Sequence, residues 1–275
     1  MKTSLRVGAV SYLNAKPLYY RLDEFAPSVR LTMELPSVLA DQLSRGELDV
    51  ALIPSVEYLR GVARGYEILP GFAIAARGAV RSVKLFSRVP FGEIRRLALD
   101  EGSRTSQALA RVWLDAAHGV RPEGLEPLPM GVSPLESTAD AVLVIGDRAM
   151  KVPEGPFHAV VDLAEAWNAL TGLPFVFALW VTRRDVDLRD LPTVLDRCRR
   201  EGLAHADELA RTHAPRLGLD EAACVDYLTN VLSYDLGSPE IAALKQFAEM
   251  AARLGLAPEG ADLVFHRPHD LATRR

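Results

Sequence analysis

The chain has 275 residues, of which 49% are apolar and 25% are charged, and its formal net charge is −4. These values are typical of a soluble globular protein with one large domain or two lobes. The mildly negative charge and the lack of any Lys/Arg block argue against nucleic-acid binding. Cys198 and Cys224 lie in helical patterns outside any CxxC pair, so we expect buried thiols and no disulfide framework.

The start of the chain carries no apolar segment that would serve as a signal peptide, because a predicted strand follows residue 4 directly. No run is long and apolar enough to span a bilayer. We therefore expect a cytoplasmic protein with no membrane partner.

The first half of the chain alternates predicted strands and helices. Strands at residues 5–10, 29–35 and 49–53 are separated by a helical stretch near residues 17–22 and by a helix between Ser37 and Gly46. This βαβαβ order predicts a parallel sheet with right-handed crossovers. Two further strands, at residues 72–76 and 80–87, are expected to be joined by a turn at residues 77–79.

The alternation then resumes and gives way to helices. The pattern predicts strands at 97–100, 125–130, 141–145 and 175–181 and helices at 103–117 and 164–170. From Leu188 onward the chain is predicted to be almost entirely helical. One helix is expected to begin with Ser238 as its N-cap and to end at Gly255.

The most informative segment is residues 11–18, SYLNAKPL, which follows the first predicted strand. Open α/β sheets bind ligands beyond the carboxyl ends of their strands. Asn14 is the strongest candidate there, because its amide can donate and accept hydrogen bonds at once. Ser11 and Tyr12 are candidate ligand contacts beside it. The alternative for Asn14 is the N-cap of the helix near residues 16–17.

A second candidate site follows the strand at 97–100, where Ser103, Arg104, Thr105 and Ser106 begin a predicted helix. Backbone N–H groups and hydroxyls at such a point can bind a carboxylate or a phosphate. Ordinary helix capping by Ser103 or Thr105 explains the same residues. Arg104 could pair with a ligand carboxylate or lie in solvent.

Two more polar residues lie where they could meet a ligand. Ser82 is on the strand that leads toward the second half of the molecule and could line a cleft between lobes. Asp147 follows a buried strand directly after Gly146 and could act as a base, although a structural ion pair or cap is an equal alternative. The motifs HExxH, GxSxG and GxGxxG are absent, so a metal site, a hydrolase triad and a dinucleotide site lack support.

Residues 11–18 resemble the opening signature of the chorismate dehydratases of menaquinone biosynthesis. The resemblance runs along nearly the whole chain, through PSVEY at 54–58, SVKLFS at 82–87, SRTS at 103–106, IGD at 145–147 and TGLPF at 171–175. It implies a two-lobed α/β fold of the type II periplasmic-binding-protein class. The chain would cross twice between lobes, with lobe one at residues 1–87 and 178–275, lobe two at residues 88–177, and the helical C-terminal segment packed on lobe one.

The resemblance also implies an activity. Members of the family convert chorismate to 3-[(1-carboxyvinyl)oxy]benzoate and water, the first step of the futalosine route to menaquinone. Because the product ring is aromatic, no redox cofactor or metal is needed, and the expected tasks are to hold a dianion, exclude water and position a base. We expect the polar groups after the first strand and after the strand at 97–100 to face one shared cleft.

Within this expectation Asn14, Ser82 and Asp147 are the candidate catalytic residues. Ser11, Tyr12, Ser55 and the SRTS residues are the candidate substrate-binding ones. We hypothesise that Asn14 orients the substrate and that the enolpyruvyl carboxylate of the substrate accepts the proton, with Asp147 as the competing base. The alternatives are a non-catalytic protein that binds small anions and the related 1,4-dihydroxy-6-naphthoate synthase. Chorismate is the expected small-molecule partner, and a homodimer is left open.

Overall fold

The computed structural model describes residues 4–267, which form two β-sheets covered by helices. The first sheet has seven strands. Six of them lie side by side, and in spatial order they are Leu232–Ser233, Ile74–Ala76, Phe175–Arg183, Val50–Pro54, Arg6–Val10 and Arg30–Glu34. The seventh, Tyr66–Ile68, pairs with Phe175–Arg183.

The predicted parallel βαβαβ unit is present in this first sheet. Arg6–Val10 pairs in parallel with both Arg30–Glu34 and Val50–Pro54. The long strand Phe175–Arg183 runs antiparallel to Val50–Pro54, so the sheet as a whole is mixed. Val50–Pro54 is buried along its whole length, which explains its uninterrupted apolar sequence.

The second sheet has five strands and also contains both strand directions. In spatial order they are Ala159–Asp162, Val83–Ser87, Ala141–Ile145, Arg96–Asp100 and Gly124–Leu128. The last three are parallel to one another, as expected of the resumed βα alternation. Val83–Ser87 runs antiparallel to both of its neighbours.

Helices cover both sheets. The α-helices are Leu22–Phe25, Pro36–Ser44, Ser55–Gly61, Arg104–His118, Leu163–Thr171, Leu191–Ala204, Ala206–Leu217, Glu221–Asp226 and Ser238–Arg253. Shorter 3₁₀ segments are Leu13–Tyr19, Val62–Arg64, Phe91–Glu93 and Gly146–Lys151, and Tyr227–Val231 is a π-helical turn. None of the helices within residues 4–267 has the length and apolar character that crossing a membrane requires.

The strands at 74–76 and 83–87 do not form the expected joined pair, because they belong to different sheets. Residues 77–82, here called the crossing segment, carry the chain from one sheet to the other. The carboxylate of Asp162 accepts hydrogen bonds from the backbone N–H groups of Val80 at 3.1 Å and Arg81 at 2.6 Å. Arg81 has a left-handed φ of 65°, so the chain turns sharply here.

The strand Val83–Ser87 lies in the second sheet, whereas the predicted division placed residues 1–87 in lobe one. Likewise, Phe175–Arg183 pairs within the first sheet from its first residue, three positions before the expected boundary at 178. Alternation along a strand identifies its two faces but not its neighbours, so the sequence could not place these strands. We propose that the lobes divide at the crossing segment and at residues 172–174.

The C-terminal part is helical, as expected, and packs largely on the first sheet. Ser238–Arg253 begins one residue earlier than predicted, with Gly237 as the N-cap, and Glu240 accepts the Gly237 N–H at 3.0 Å. Leu191–Ala204 packs against the segment Leu13–Tyr19. Cys198 and Cys224 are both free and buried, which confirms the prediction made for them.

Candidate active site

A cavity lies between the two sheets, and both lobes contribute to its wall. Five predicted site residues line it: Tyr12, Asn14, Ser82, Ser103 and Ser106. The polar groups after the first strand and after the strand Arg96–Asp100 therefore face one shared space. The rest of the wall is mostly apolar and is made by Val10, Pro36, Pro54, Ile74, Val80, Val83, Ile145, Gly146, Phe177 and Ala178.

Asn14 lies within the 3₁₀ segment Leu13–Tyr19 and does not cap it. The N-cap position is Tyr12, and no side chain makes a capping hydrogen bond there. The capping alternative for Asn14 is therefore wrong. Its Oδ1 is buried and has no hydrogen-bond partner within residues 4–267. A buried acceptor without a partner costs free energy, so this oxygen is available to a donor on a ligand.

Tyr12 reaches across to the second lobe, where two glycines make room for its ring. A Cβ on Gly102 would lie 2.6 Å from the Tyr12 hydroxyl oxygen, and a Cβ on Gly146 would lie 3.4 Å from the ring. Gly146 also has a left-handed φ of 70°. The Tyr12 hydroxyl is buried and unpartnered among the described residues, and burial raises its pKa well above the usual value. It is therefore a neutral donor at the edge of the cavity.

Ser103 and Ser106 stand at the N-terminus of the 15-residue helix Arg104–His118. Ser103 is the N-cap and accepts the Ser106 N–H at 3.4 Å, while the Ser106 hydroxyl donates to Ser103 Oγ at 3.3 Å. Ser103 therefore caps the helix, as the alternative interpretation expected, and both serines also line the cavity. The positive end of this helix favours a negative group placed beside them.

Ser55 and Thr105 do not line the cavity but lie behind it, where Thr105 joins the two lobes. The Ser55 hydroxyl donates to the Val176 carbonyl at 2.8 Å, and Thr105 Oγ1 accepts the Val56 N–H at 3.0 Å. Both side chains are fully buried. The bond from Val56 to Thr105 connects the N-terminus of Ser55–Gly61 to that of Arg104–His118, whereas the bond from Ser55 to Val176 stays within the first lobe.

Arg104 and Ser11 also lie away from the cavity wall. Arg104 forms a two-pronged ion pair with Asp41, at 2.8 and 2.9 Å, and lies 3.4 Å from Glu57. These carboxylates belong to helices of the first lobe, so Arg104 links the lobes. Ser11 is exposed, and its N–H donates to the Glu34 carbonyl at 3.3 Å.

Asp147 lies behind the segment Leu13–Tyr19 and does not line the cavity. Its Oδ2 accepts the Leu13 N–H at 3.4 Å, and its buried Oδ1 has no partner among the described residues. Lys16 is close enough to stabilise its charge, but burial is the larger effect and raises the pKa of Asp147. Asp147 follows a strand of the second sheet, and its carboxylate accepts a hydrogen bond from the first lobe. It therefore connects the two lobes.

Asp147→Asn is expected to stabilise the protein at neutral pH. The folded state holds the Asp147 proton more tightly than the unfolded chain does, since burial raises this pKa. The associated stability is full below the unfolded pKa of about 4 and is lost as the pH rises through the folded pKa. Denaturant unfolding of both proteins should therefore give a variant advantage that grows from about pH 4 to about pH 7. An advantage that shrinks over this range would contradict the assignment.

A buried ion pair supports the second-lobe wall of the cavity. Asp100 is fully buried and accepts hydrogen bonds from the Arg148 guanidinium at 2.6 and 3.0 Å. The same carboxylate accepts the N–H groups of Gly102 at 2.9 Å and Ile145 at 3.1 Å. Asp100 thereby fixes the two chain segments that border the Tyr12 ring.

Sequence reasoning missed Tyr227, which is buried beside the cavity. Its hydroxyl donates to Ser82 Oγ at 2.8 Å, across 145 residues of sequence. The Asn14 side chain also lies near this hydroxyl and lowers its pKa slightly. Tyr227 lies in an apolar helical stretch without any motif, so no signal in the sequence identified it.

Comparison with known proteins gives a consistent result. The family model for menaquinone biosynthesis matches residues 5–253. The chain is 37% identical to a chorismate dehydratase of Thermus thermophilus over 273 residues, which covers 92% of this chain and 96% of that protein. It is 27% identical to a 1,4-dihydroxy-6-naphthoate synthase of Streptomyces coelicolor over 250 residues, or 85% and 86% of the two chains.

The fold is also found among solved structures. The periplasmic aliphatic sulphonate binding protein of Escherichia coli matches with a TM-score of 0.64 at 12% identity, covering 100% of this chain and 96% of that one. This likeness confirms the predicted periplasmic-binding-protein-like fold. The family model spans almost all of the described residues, including both groups that meet at the cavity. The chain therefore belongs to the menaquinone biosynthesis family.

Proposed function

We propose that this protein is a chorismate dehydratase, a hydro-lyase that converts chorismate to 3-[(1-carboxyvinyl)oxy]benzoate and water. The observation that carries the proposal is the cavity in which Tyr12 and Asn14 of one lobe meet Ser103 and Ser106 of the other. Its support among relatives is the 37% identity to a chorismate dehydratase over most of both chains.

The cavity suits a small dianion without charged contacts. Its described wall contains neither a lysine nor an arginine, and its polar groups are neutral hydroxyls, an amide and a helix N-terminus. Neutral donors that are fixed before the substrate arrives can stabilise a carboxylate in a site from which water is excluded. We propose that the helix Arg104–His118 binds one carboxylate and that Tyr12 and Asn14 contact the rest of the substrate.

The reaction removes a ring hydrogen and the ring hydroxyl group, and aromatisation supplies the driving force. A base must then stand close to the C–H bond. Asp147 is a poor candidate because it lies behind Leu13–Tyr19 and not in the cavity wall. We propose that the enolpyruvyl carboxylate of the bound substrate takes the proton, with Asn14 holding the substrate in the reactive geometry.

The location and assembly of the enzyme follow as part of the proposal. A biosynthetic enzyme acting on chorismate is expected in the cytoplasm. A homodimer stays an open alternative for its assembly.

The test is to incubate the purified protein with chorismate and to follow the product by chromatography and its aromatic absorbance. The expected result is loss of chorismate matched by 3-[(1-carboxyvinyl)oxy]benzoate, without an added cofactor. Asn14→Ala serves as the matched control for contaminating activity. Chorismate binding without turnover would overturn the proposal in favour of a solute-binding protein.

The naphthoate synthase alternative is less well supported, since that relative is 27% identical where the dehydratase is 37% identical. Its own reaction forms 1,4-dihydroxy-6-naphthoate, so product analysis distinguishes the two enzymes. Failure to consume chorismate under any condition would count against the dehydratase.

A further inference from the structure

Tyr227 is a buried side chain that touches two of the polar groups in the cavity wall. It is 1% exposed and belongs to the π-helical turn Tyr227–Val231, which directly precedes the edge strand Leu232–Ser233. Single π-helical turns within α-helices occur frequently at functional sites. The turn is continuous with the helix Glu221–Asp226 and places the phenol against the crossing segment.

The hydrogen bond between Tyr227 and Ser82 fixes the direction of the Ser82 hydroxyl. The phenol donates to Ser82 Oγ at 2.8 Å, so that bond uses an acceptor site of the serine and not its proton. Within residues 4–267 the Ser82 Oγ has no other hydrogen-bond partner. Ser82 is 2% exposed and lines the cavity, so its own O–H is left to donate into that space.

We propose that Tyr227 is a positioning residue that orients the Ser82 hydroxyl as a donor to an oxygen of the substrate. The inference rests on the proposed function and adds to it a residue that does not itself touch the substrate. A phenol that donates to a serine also polarises the serine O–H and makes it a stronger donor.

Two properties of the surroundings keep this arrangement in place. Burial raises the pKa of Tyr227 far above its usual value, and the neighbouring Ser82 and Asn14 side chains oppose this only in part. The phenol therefore keeps its proton throughout the neutral range. The crossing segment is held by Asp162, so Ser82 cannot readily turn away from the phenol.

Tyr234 offers a matched control on the same stretch of chain. It is also a buried tyrosine, 3% exposed, and its hydroxyl has no partner among the described residues. It does not line the cavity. Tyr234→Phe removes the same atom as Tyr227→Phe from a similar environment but disturbs no hydrogen bond, so it is expected to leave turnover unchanged.

The experiment is a double-mutant cycle on chorismate turnover with Tyr227→Phe, Ser82→Ala and the two combined. Tyr227→Phe is expected to lower kcat/KM about tenfold, since the donor remains but loses its orientation. In the Ser82→Ala background the same change should cost much less, because the route through Ser82 is then gone and only the neighbouring Asn14 side chain remains. A purely structural role for Tyr227 would instead give additive losses.

The outcomes separate the two proposals. A wild-type protein that does not turn over chorismate overturns the proposed function and this inference with it. An active wild type together with an unimpaired Tyr227→Phe variant overturns this inference alone. Additive losses, or an equal loss in Tyr234→Phe, would do the same. Thermal unfolding of each variant verifies that the proteins compared are folded.

Discussion

Asn14→Ala is expected to lower chorismate turnover by about 10²–10³-fold while leaving the protein folded. The side chain lies in the cavity wall, caps no helix and has a buried oxygen without a partner among the described residues. Its loss removes a fixed contact that orients the reacting substrate, and small misplacements of a reacting atom are costly. Since that contact is made to substrate and not to protein, the free energy of unfolding should change little.

The measurement is steady-state turnover with chorismate, paired with denaturant unfolding of the same samples. Asp147→Asn is the informative comparison, because Asp147 contacts the same segment from behind. That variant should retain most of its turnover. Full activity in Asn14→Ala beside an inactive Asp147→Asn would reverse the roles proposed for these residues and make Asp147 the base.

Arg148→Met is expected to lower the free energy of unfolding by about 3–5 kcal/mol, because it leaves a buried charge without its partner. Asp100 is fully buried, and the guanidinium approaches it to 2.6 Å. Two backbone N–H groups would remain on the carboxylate, but no cation would balance it. Methionine replaces the apolar stem of the arginine, so the packing of that stem is largely retained.

Urea unfolding at neutral pH measures this loss, and a second variant identifies its cause. Asp100→Asn combined with Arg148→Met removes both charges and should recover at least half of the stability lost in the single variant. If the double variant is no more stable than Arg148→Met, the cost arises from packing or from the Met130 carbonyl that Arg148 also binds, and not from the unpaired charge.

The fold was largely predictable because its strands are short apolar runs bounded by turn signals. The strand Ala141–Ile145 was predicted to the residue, and Arg96–Asp100 and Arg6–Val10 were predicted within one residue at each end. Each is buried along nearly its whole length, so the hydrophobic pattern identified it directly. The two-lobed arrangement came from the family resemblance and not from periodicity.

The crossing segment shows what such patterns leave undetermined. Residues 80–82 were predicted to belong to the strand at 80–87, yet Asp162 holds the backbone of Val80 and Arg81 in a turn. That carboxylate is about 80 residues away in the sequence, and no residue near the crossing segment indicates the contact. The assignment of a strand to one sheet or the other depends on such long-range contacts.

The candidate site was predictable only in part for the same reason. Tyr12, Asn14, Ser82, Ser103 and Ser106 follow or adjoin strand ends, and the general position of sites in α/β sheets identified them. Ser55 and Thr105 lie in similar positions in the sequence, but their side chains bond to protein groups behind the cavity. Residue type and position alone do not distinguish a hydroxyl that faces a cavity from one that joins two lobes.

A crystal structure of the protein with 3-[(1-carboxyvinyl)oxy]benzoate bound would test the central claim most directly. We expect the product between the lobes, with one carboxylate at Ser103 and Ser106 and the Asn14 amide in contact with the ligand. A product bound elsewhere, for example on the far side of Tyr227 near Arg81 and Lys84, or held between the lobes only by charged side chains, would contradict the account.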